Sequence, residues 1–263
     1  MKAVTGVFRS RSDAEHALAE MQSAGLPDER ITLLTPASTP AELQSVPTVA
    51  AEQPGISKAL GAVVGASVAL SGGPLIVAAI LPGVGAITAI GLLGGAILAA
   101  AGAGVGAVAA GKLEGAMTDG LPEDELFVYE DALRRGRSVV IALAQDEAGA
   151  KRFRELLQTE GAEGIDAARE QWWIGLRSAE REHYSKLGRS FTEDEQFYRL
   201  GFESALHART RCKEYDQVLG EMDADIDELE RRYPGKALAE PFRRGYERGR
   251  AYYQHRCDES KAA

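Results

Sequence analysis

Residues 59–111, ALGAVVGASVALSGGPLIVAAILPGVGAITAIGLLGGAILAAAGAGVGAVAAG, form a run of 53 residues without a charged side chain. About 20 apolar residues cross a bilayer, so the run is long enough for two spans, with Pro82-Gly83 as the turn between them. Its small residues recur four apart, which places them on one helix face and lets two helices approach closely. The stretch therefore predicts a glycine-zipper helical hairpin over residues 55–119, packed through Gly61, Gly65, Gly91, Gly95, Gly102, Gly106, Gly111 and Gly115.

Two environments suit such a hairpin. In the first, two transmembrane helices cross the bacterial inner membrane, and lysine and arginine on both flanks place the remaining domains in the cytoplasm. In the second, the protein is soluble and cytoplasmic, and its Gly/Ala hairpin is the buried core of an oligomer. Gly72-Gly73-Pro74, which interrupts the first span, favours the second environment, whereas the length of the uncharged run favours the first.

The overall composition excludes several classes of protein. The chain has 263 residues and a net charge of −9, which argues against a generic nucleic-acid coat. Its two cysteines cannot form a disulfide framework and fit a reducing compartment. The first residues, MKAVTGVFRSRSD, lack the apolar segment of a signal peptide.

Two β-α-β patterns flank the uncharged run. The first has strands at Ala3–Phe8 and Ile31–Thr35 with a helix between them that ends at Gly25. The second, over residues 138–166, has a strand at Val139–Ala144, a helix that ends before Gly161 and a short strand near residue 165. Residues 1–54 and 120–168 together predict an α+β, ferredoxin-like domain with helices on one face of the sheet. A further helix, predicted over residues 122–135, belongs to the insertion between the halves.

Three segments carry a resemblance to a known family. VTGVFRSRSDAEHAL, LPGVG within the glycine-rich run and GLPEDELFVYEDALRRGRSVVIAL resemble, in this order, the bacterial general stress or heat-induced stress protein domain. The resemblance implies a stress-linked, often membrane-associated protein without established catalytic residues. One element of the family pattern is matched here by Gly120, Leu121, Pro122, Tyr129, Leu133 and Gly136.

Residues 170–257 predict a separate all-α domain that contains an internal repeat. The pattern aromatic-Arg-x-Gly-aromatic-Glu, which resembles repeats in bacterial stress-associated proteins, occurs twice at an offset of 44 residues. Aromatic residues four apart with a glycine between them form one helical stripe and allow a close helix crossing. We expect both copies to pack in one bundle. The copies are Tyr198, Arg199, Gly201, Phe202 and Glu203, and then Phe242, Arg243, Gly245, Tyr246 and Glu247.

Other candidate sites are weaker. Glu203 and His207 stand four apart, but two ligands without a third make a poor metal site, so a surface pair is favoured. Cys212 and Cys257 follow the two repeat copies at nearly equivalent places. They could meet in the bundle, but unpaired buried thiols are favoured in a reducing compartment. The arginines and aromatic residues from 242 to 256 have the composition of a site for single-stranded nucleic acid or anionic lipid. The near-neutral charge of this domain favours a solvated face instead.

The leading hypothesis is a non-enzymatic stress protein that is anchored in the membrane by its helical hairpin and forms homo-oligomers. It has no predicted catalytic residue, cofactor or metal, and its expected partners are the lipid bilayer and other copies of the chain rather than nucleic acid. One alternative is a soluble oligomeric scaffold with a buried Gly/Ala core. The other is a C-terminal module that binds nucleic acid or anionic lipid.

Overall fold

One sheet contains strands from before, within and after the uncharged run. The computed structural model of the chain describes residues 1–36, 64–65, 76–81, 84–91, 94, 123–186, 188–207, 209–235 and 238–262. In chain order the strands are β1 (Lys2–Phe8), β2 (Ile31–Pro36), β3 (Val64–Gly65), β4 (Ile76–Leu81), β5 (Gly85–Ile90), β6 (Ser138–Ala144) and β7 (Glu163–Gly164). Their order in the sheet is β3-β4-β5-β2-β6-β1-β7, and all neighbouring strands are antiparallel.

Helices make up most of the remaining described residues. In chain order they are α1 (Arg11–Ser23), α2 (Leu126–Arg134), α3 (Glu147–Thr159), α4 (Ile165–Ser185), α5 (Phe191–Ser204), α6 (Tyr215–Arg232) and α7 (Ala239–Ala262). The chain divides into an N-terminal unit, Met1–Gln171, and a C-terminal unit, Trp172–Ala262. The N-terminal unit is mixed α/β and the C-terminal unit is helical, which confirms the predicted combination of an α and β part with an all-α part.

Helices α1 and α3 cover one face of the sheet. Each begins with a side-chain cap, because Ser10 Oγ accepts from the Asp13 N–H at 3.1 Å and Asp146 Oδ1 accepts from the Gly149 N–H at 2.7 Å. The apolar residues that these helices bury join strand residues of β1, β2 and β6 in the main core. The core includes Val4, Phe8, Ala14, Ala17, Met21, Leu33, Val140, Ala150, Phe153 and Leu157.

Helix α2 lies on the opposite face. Successive strand residues face opposite sides of a sheet, so Thr5 faces away from the core that contains Val4. Its Oγ1 lies 2.9 Å from the hydroxyl of Tyr129 on α2. The helix predicted within the insertion therefore supplies a third layer.

The uncharged run contributes strands to this sheet, so the predicted helical hairpin over residues 55–119 is wrong where the run is described. Strand β4 pairs with β5 from Ile76 opposite Ile90 to Leu81 opposite Gly85, and β5 pairs with β2. A strand buried on both faces has a continuous apolar sequence, which resembles that of a buried helix or a membrane span. The isoleucine, valine and threonine residues of β4 and β5 favour strands.

The membrane-anchor prediction is also wrong. Across the described ranges of the chain, no helix has the length and apolar character that are needed to cross a bilayer. Most of the described residues of the uncharged run, on which that prediction depended, lie in short strands of two to six residues.

Aromatic side chains fill the interior of the C-terminal unit. Helices α5 and α7 pack against each other, and a smaller cluster joins them to α6 through Tyr215, Val218 and Met222. The largest fully buried side chains of this unit are Trp172, Trp173, Tyr184, Tyr198, Phe202 and Tyr246.

Candidate functional site

Helices α5 and α7 cross at the two glycines of the repeat motif. A Cβ atom built on Gly201 would lie 1.9 Å from the carbonyl oxygen of Phe242, and one on Gly245 would lie 1.9 Å from the carbonyl oxygen of Tyr198. Real Cβ atoms essentially never approach another heavy atom within 3.0 Å. The two backbones are therefore in direct contact, and neither position has room for a side chain.

The contacts on the two sides of this crossing are equivalent. The atoms nearest to Gly201 belong to Phe242 and Tyr246, and those nearest to Gly245 belong to Tyr198 and Phe202. Each set maps onto the other at the 44-residue offset of the repeat. Helices α5 and α7 thus form a pair with internal pseudo-twofold symmetry.

The symmetry extends to helices α4 and α6. The guanidinium of Arg199 lies 5.5 Å from the ring centroid of Trp173, and that of Arg243 lies 5.3 Å from the ring centroid of Tyr215. Trp173 on α4 and Tyr215 on α6 therefore occupy equivalent places, 42 residues apart. The repeating unit is a pair of helices, α4–α5 in the first copy and α6–α7 in the second.

The arginine and glutamate of the motif pair with each other in both copies. Arg199 Nε donates to Glu203 Oε1 at 2.6 Å, and Arg243 Nε donates to Glu247 Oε1 at 2.9 Å. Each pair holds a guanidinium over the aromatic ring of the neighbouring helix, where a cation–π contact adds to the packing. The charged residues of the motif thus support the aromatic core.

A buried polar cluster breaks the symmetry. Glu180 on α4 is only 1% exposed, and its Oε2 accepts from the Tyr198 hydroxyl at 2.7 Å. Arg248 on α7 binds both oxygens of Glu180, through Nη2 at 2.9 Å and Nε at 3.0 Å. Burial and the charge of Glu180 raise the pKa of the Tyr198 hydroxyl, and the hydrogen bond to Glu180 raises the pKa of Arg248. Glu180 thus accepts from a neutral phenol and a charged guanidinium.

The second copy has apolar or small residues at the equivalent places. At the offset of 42, Glu180 corresponds to Met222, which is 2% exposed. At the offset of 44, Tyr198 corresponds to Phe242 and Arg248 corresponds to Ser204. The same helix pairing is therefore completed by a charged cluster on one side and by an apolar contact on the other.

The arginine and aromatic residues near the C-terminus also serve internal contacts. Arg244 Nε donates to Glu240 Oε1 at 2.6 Å, Arg250 binds Glu214, and Phe242 and Tyr246 are buried. Stacking of nucleic-acid bases requires accessible rings, and the rings of Phe242 and Tyr246 are enclosed by the protein.

The glycines predicted to pack helices have other surroundings where they are described. Gly65 lies in strand β3. Gly91 follows β5 with φ +117°, and a Cβ there would lie 2.2 Å from the carbonyl oxygen of Ile31, so it allows a close strand contact. The others, Gly61, Gly95, Gly102, Gly106, Gly111 and Gly115, lie outside the described residues, as do Gly120, Leu121 and Pro122 of the stress-protein element.

The described residues of that stress-protein element fix α2 to the sheet. Tyr129 is buried, and its hydroxyl donates to Glu125 Oε2 at 2.6 Å while it contacts Thr5. Leu133 is buried, and Gly136 ends the helix with φ +76°. Burial raises the pKa of Tyr129, and the neighbouring Glu125 raises it further. Tyr129 is therefore a neutral hydrogen-bond donor inside the N-terminal unit.

We expect Glu125→Gln to be more stable than the wild type at pH 8 and equally stable at pH 4. Burial outweighs the Tyr129 hydrogen bond and raises the pKa of Glu125 above its ordinary value of 4.5. The folded state therefore disfavours the carboxylate, and stability falls as the pH rises from the unfolded pKa through the raised folded pKa. Glutamine keeps an oxygen that accepts from Tyr129 but carries no charge.

Thermal unfolding of both proteins at the two pH values, followed by circular dichroism, measures this difference. Glu155→Gln, at an exposed position of α3, is the matched control. The same gain at pH 4 and pH 8, or an equal pH dependence in the control, would contradict the burial of the Glu125 charge.

Metal-binding residues do not gather in the described part of the chain. No group of three or more His, Cys, Asp or Glu residues there could hold a metal ion. Glu203, which the sequence pairs with His207, binds Arg199. The prediction of a buried thiol is wrong for Cys212, which is an exposed free thiol with φ +62°. Cys257 lies in α7.

The sequence did not predict the ion pair between Glu180 and Arg248. A signal for Glu180 exists, because it stands seven residues after Trp173 and four before Tyr184, on the same face of α4 as these buried aromatics. Arg248 has no comparable signal, since 68 residues separate it from Glu180.

Comparison with known proteins adds no assignment. No family model matches the chain, and no curated protein or solved structure matches it. The resemblance to bacterial stress proteins therefore rests on its motif residues alone.

Proposed function

We propose that the protein is a non-enzymatic oligomeric scaffold, in which copies of the chain associate through the uncharged strands at one side of the sheet. The observation that carries this proposal is the placement of β4 and β5 as neighbours in the sheet of the N-terminal unit. Neither strand contains a charged residue. Thr88 of β5 is the one polar side chain in the two strands, and strands that are this apolar require cover on both faces.

The positions of the described helices support association at this side. Helices α1 and α3 pack on β1 and β6, α1 also reaches β2, and α2 packs on β2 and β6. These strands form the other side of the sheet. Ile87, Thr88 and Ala89 of β5 are already buried within one chain, so we place the association at β4, the next strand toward this edge. A second copy of the chain presents the same uncharged strand there, and a twofold pairing of identical surfaces closes the assembly.

The interior of the C-terminal unit supports a structural rather than catalytic role. Its most buried ionic group, Glu180, is satisfied by Tyr198 and Arg248. A catalytic carboxylate needs access to substrate, whereas a saturated, buried carboxylate suits a fixed relation between helices. We propose that this unit is a rigid helical domain with a structural role in the scaffold protein.

We further infer that the N-terminal unit contains a ferredoxin-like arrangement that β5, β4 and β3 extend. The order β7-β1-β6-β2, with α1 after β1 and α3 after β6, supports this inference. We place the assembly in the cytoplasm because the two cysteines fit a reducing compartment. The stress-protein motif residues support a role in a bacterial stress response.

Sedimentation velocity of the full chain over a range of concentrations tests the proposed association. We expect the wild type to sediment as an oligomer, and Ile80→Glu on β4 to sediment as a single chain, because burial of an unpaired carboxylate in an interface is strongly unfavourable. Ile174→Glu is the matched control, since Ile174 is 52% exposed on α4, and it should still form oligomers.

Circular dichroism of Ile80→Glu separates lost association from lost folding. A single-chain species with the wild-type helical signal supports the scaffold. A wild type that sediments as a single chain at every concentration contradicts the scaffold. So does a folded Ile80→Glu variant that forms the same oligomer as the control.

A further inference from the structure

An arginine-lined cleft lies in the N-terminal unit, at the end of the β1–β6 strand pair. It has a volume of about 800 Å³, and its polar lining comes from Arg9, Arg135, Arg137, Glu163 and Gln171. Clefts of this size hold small molecules, with a few polar groups that fix their orientation. None of these residues takes part in the proposed association through β4.

The fold brings the arginines together from separate parts of the sequence. Phe8 at the end of β1 lies opposite Ser138 at the start of β6, so Arg9 and Arg137 are the next residues at the same end of the pair. Gly136, with φ +76°, closes the turn between α2 and β6, and the Arg137 N–H donates to the Ala132 carbonyl at 2.9 Å. Arg135 and Arg137, on either side of Gly136, both line the cleft.

Acidic residues balance only part of this positive charge. Glu163 on β7 binds Arg137. Asp131 binds Arg135, with an Nε–Oδ2 distance of 2.6 Å, and the same carboxylate also binds Arg134. Arg9 makes no hydrogen bond or ion pair with the residues that the structure describes. Three arginines and one acid line the cleft, which leaves two positive charges there.

One donor at the cleft is buried without an acceptor. The side chain of Arg137 is 19% exposed, and its Nε has no hydrogen-bond partner among the described residues. A buried donor without a partner is unfavourable by about 1–3 kcal/mol. The ion pair with Glu163 holds the guanidinium in position.

We propose that this cleft binds the phosphate group of a small phosphorylated molecule. A phosphate dianion matches the two excess positive charges, and its oxygens match the forked donors of arginine, which bind phosphate in a bidentate manner. The guanidinium of Arg9 supplies unused donors at the cleft. The remaining volume accommodates the rest of the molecule beside Gln171.

Isothermal titration of the full chain with inorganic pyrophosphate, in a buffer free of phosphate and sulfate, tests this proposal. We expect saturable binding with one site per chain, and Arg9→Gln should weaken it about tenfold, because one charge-assisted hydrogen bond is lost. Arg9 has no described partner, so its replacement should leave thermal unfolding unchanged. Arg154→Gln, at an exposed position of α3, removes the same charge away from the cleft and should bind like the wild type.

Absence of saturable binding by the wild type would overturn the phosphate site. Equal affinity of Arg9→Gln and the wild type would overturn it as well, and so would equal weakening by Arg9→Gln and Arg154→Gln, which would indicate a general effect of net charge. These outcomes are distinct from those of the association test, since binding is counted per chain.

Discussion

Gly201→Ala is expected to destabilise the C-terminal unit by about 3 kcal/mol, the upper part of the usual range for overpacking. The added methyl group would meet the carbonyl oxygen of Phe242 at 1.9 Å, so α5 and α7 have to separate. A backbone atom cannot move aside as the end of a flexible side chain can. Separation of these helices also loosens the aromatic contacts around Phe202 and Tyr246.

Tryptophan fluorescence during urea unfolding of the full chain measures this effect selectively. The sequence has two tryptophans, Trp172 and Trp173, and both are buried in the C-terminal unit. Gly220→Ala on α6 is the matched control, because a Cβ atom there would have no neighbour within 4 Å. Alanine favours helix by up to about 1 kcal/mol relative to glycine, so the control should be unchanged or more stable. Equal stability of both variants would show that the helices do not cross through Gly201.

Glu180→Met is expected to cost about 3 kcal/mol, the lower part of the range for breaking a buried ion pair, because Arg248 is one-third exposed. The change leaves the Arg248 guanidinium and the Tyr198 hydroxyl without their shared acceptor. Glu182→Met on the same helix is the matched control, and we expect its stability to be unchanged because Glu182 pairs with Lys186 at the surface.

The triple variant Glu180→Met, Tyr198→Phe, Arg248→Ser should recover most of that loss. It gives the first copy the residues that complete the second, namely Met222, Phe242 and Ser204. Replacement of a complete buried ion cluster by apolar groups is often neutral or stabilising. The same urea unfolding experiment compares the single and triple variants. A triple variant as unstable as the single one would contradict the equivalence of the two copies.

Local patterns in the sequence predicted most of the elements around the uncharged run. The strand expected at Val139–Ala144 occurs at Ser138–Ala144, and the strand expected at Ala3–Phe8 occurs at Lys2–Phe8. These strands are short, lie beside capped helices and end at turns, so nearby residues determine them.

The uncharged run could not be assigned in the same way. Strands buried on both faces and membrane helices both lack charged residues. Glycines four residues apart also occur where the individual glycines have different structural roles. Gly91 illustrates this, since it allows the approach of the Ile31 backbone rather than a helix pair. The neighbours of β4 and β5 in the sheet, rather than their own composition, determine their conformation.

The candidate sites differ in the same way, because one of them could be predicted from the sequence and the others could not. The repeat motif drew attention to Gly201 and Gly245, because both copies are visible in the sequence. The cluster around Glu180 and the cleft at Arg9 and Arg137 join residues that are far apart in the chain, which no spacing rule reveals. Only the antiparallel register of β1 and β6 brings Arg9 next to Arg137.

Hydrogen exchange of the backbone amides of residues 76–90, measured on the full chain in detergent-free buffer, tests most directly whether the uncharged run builds the sheet. Strands β4 and β5 should exchange slowly and at rates comparable to those of β6, since all three donate hydrogen bonds within one sheet. Unprotected exchange of residues 76–90 in buffer, with protection only after lipid vesicles are added, would contradict the sheet and the scaffold built on it.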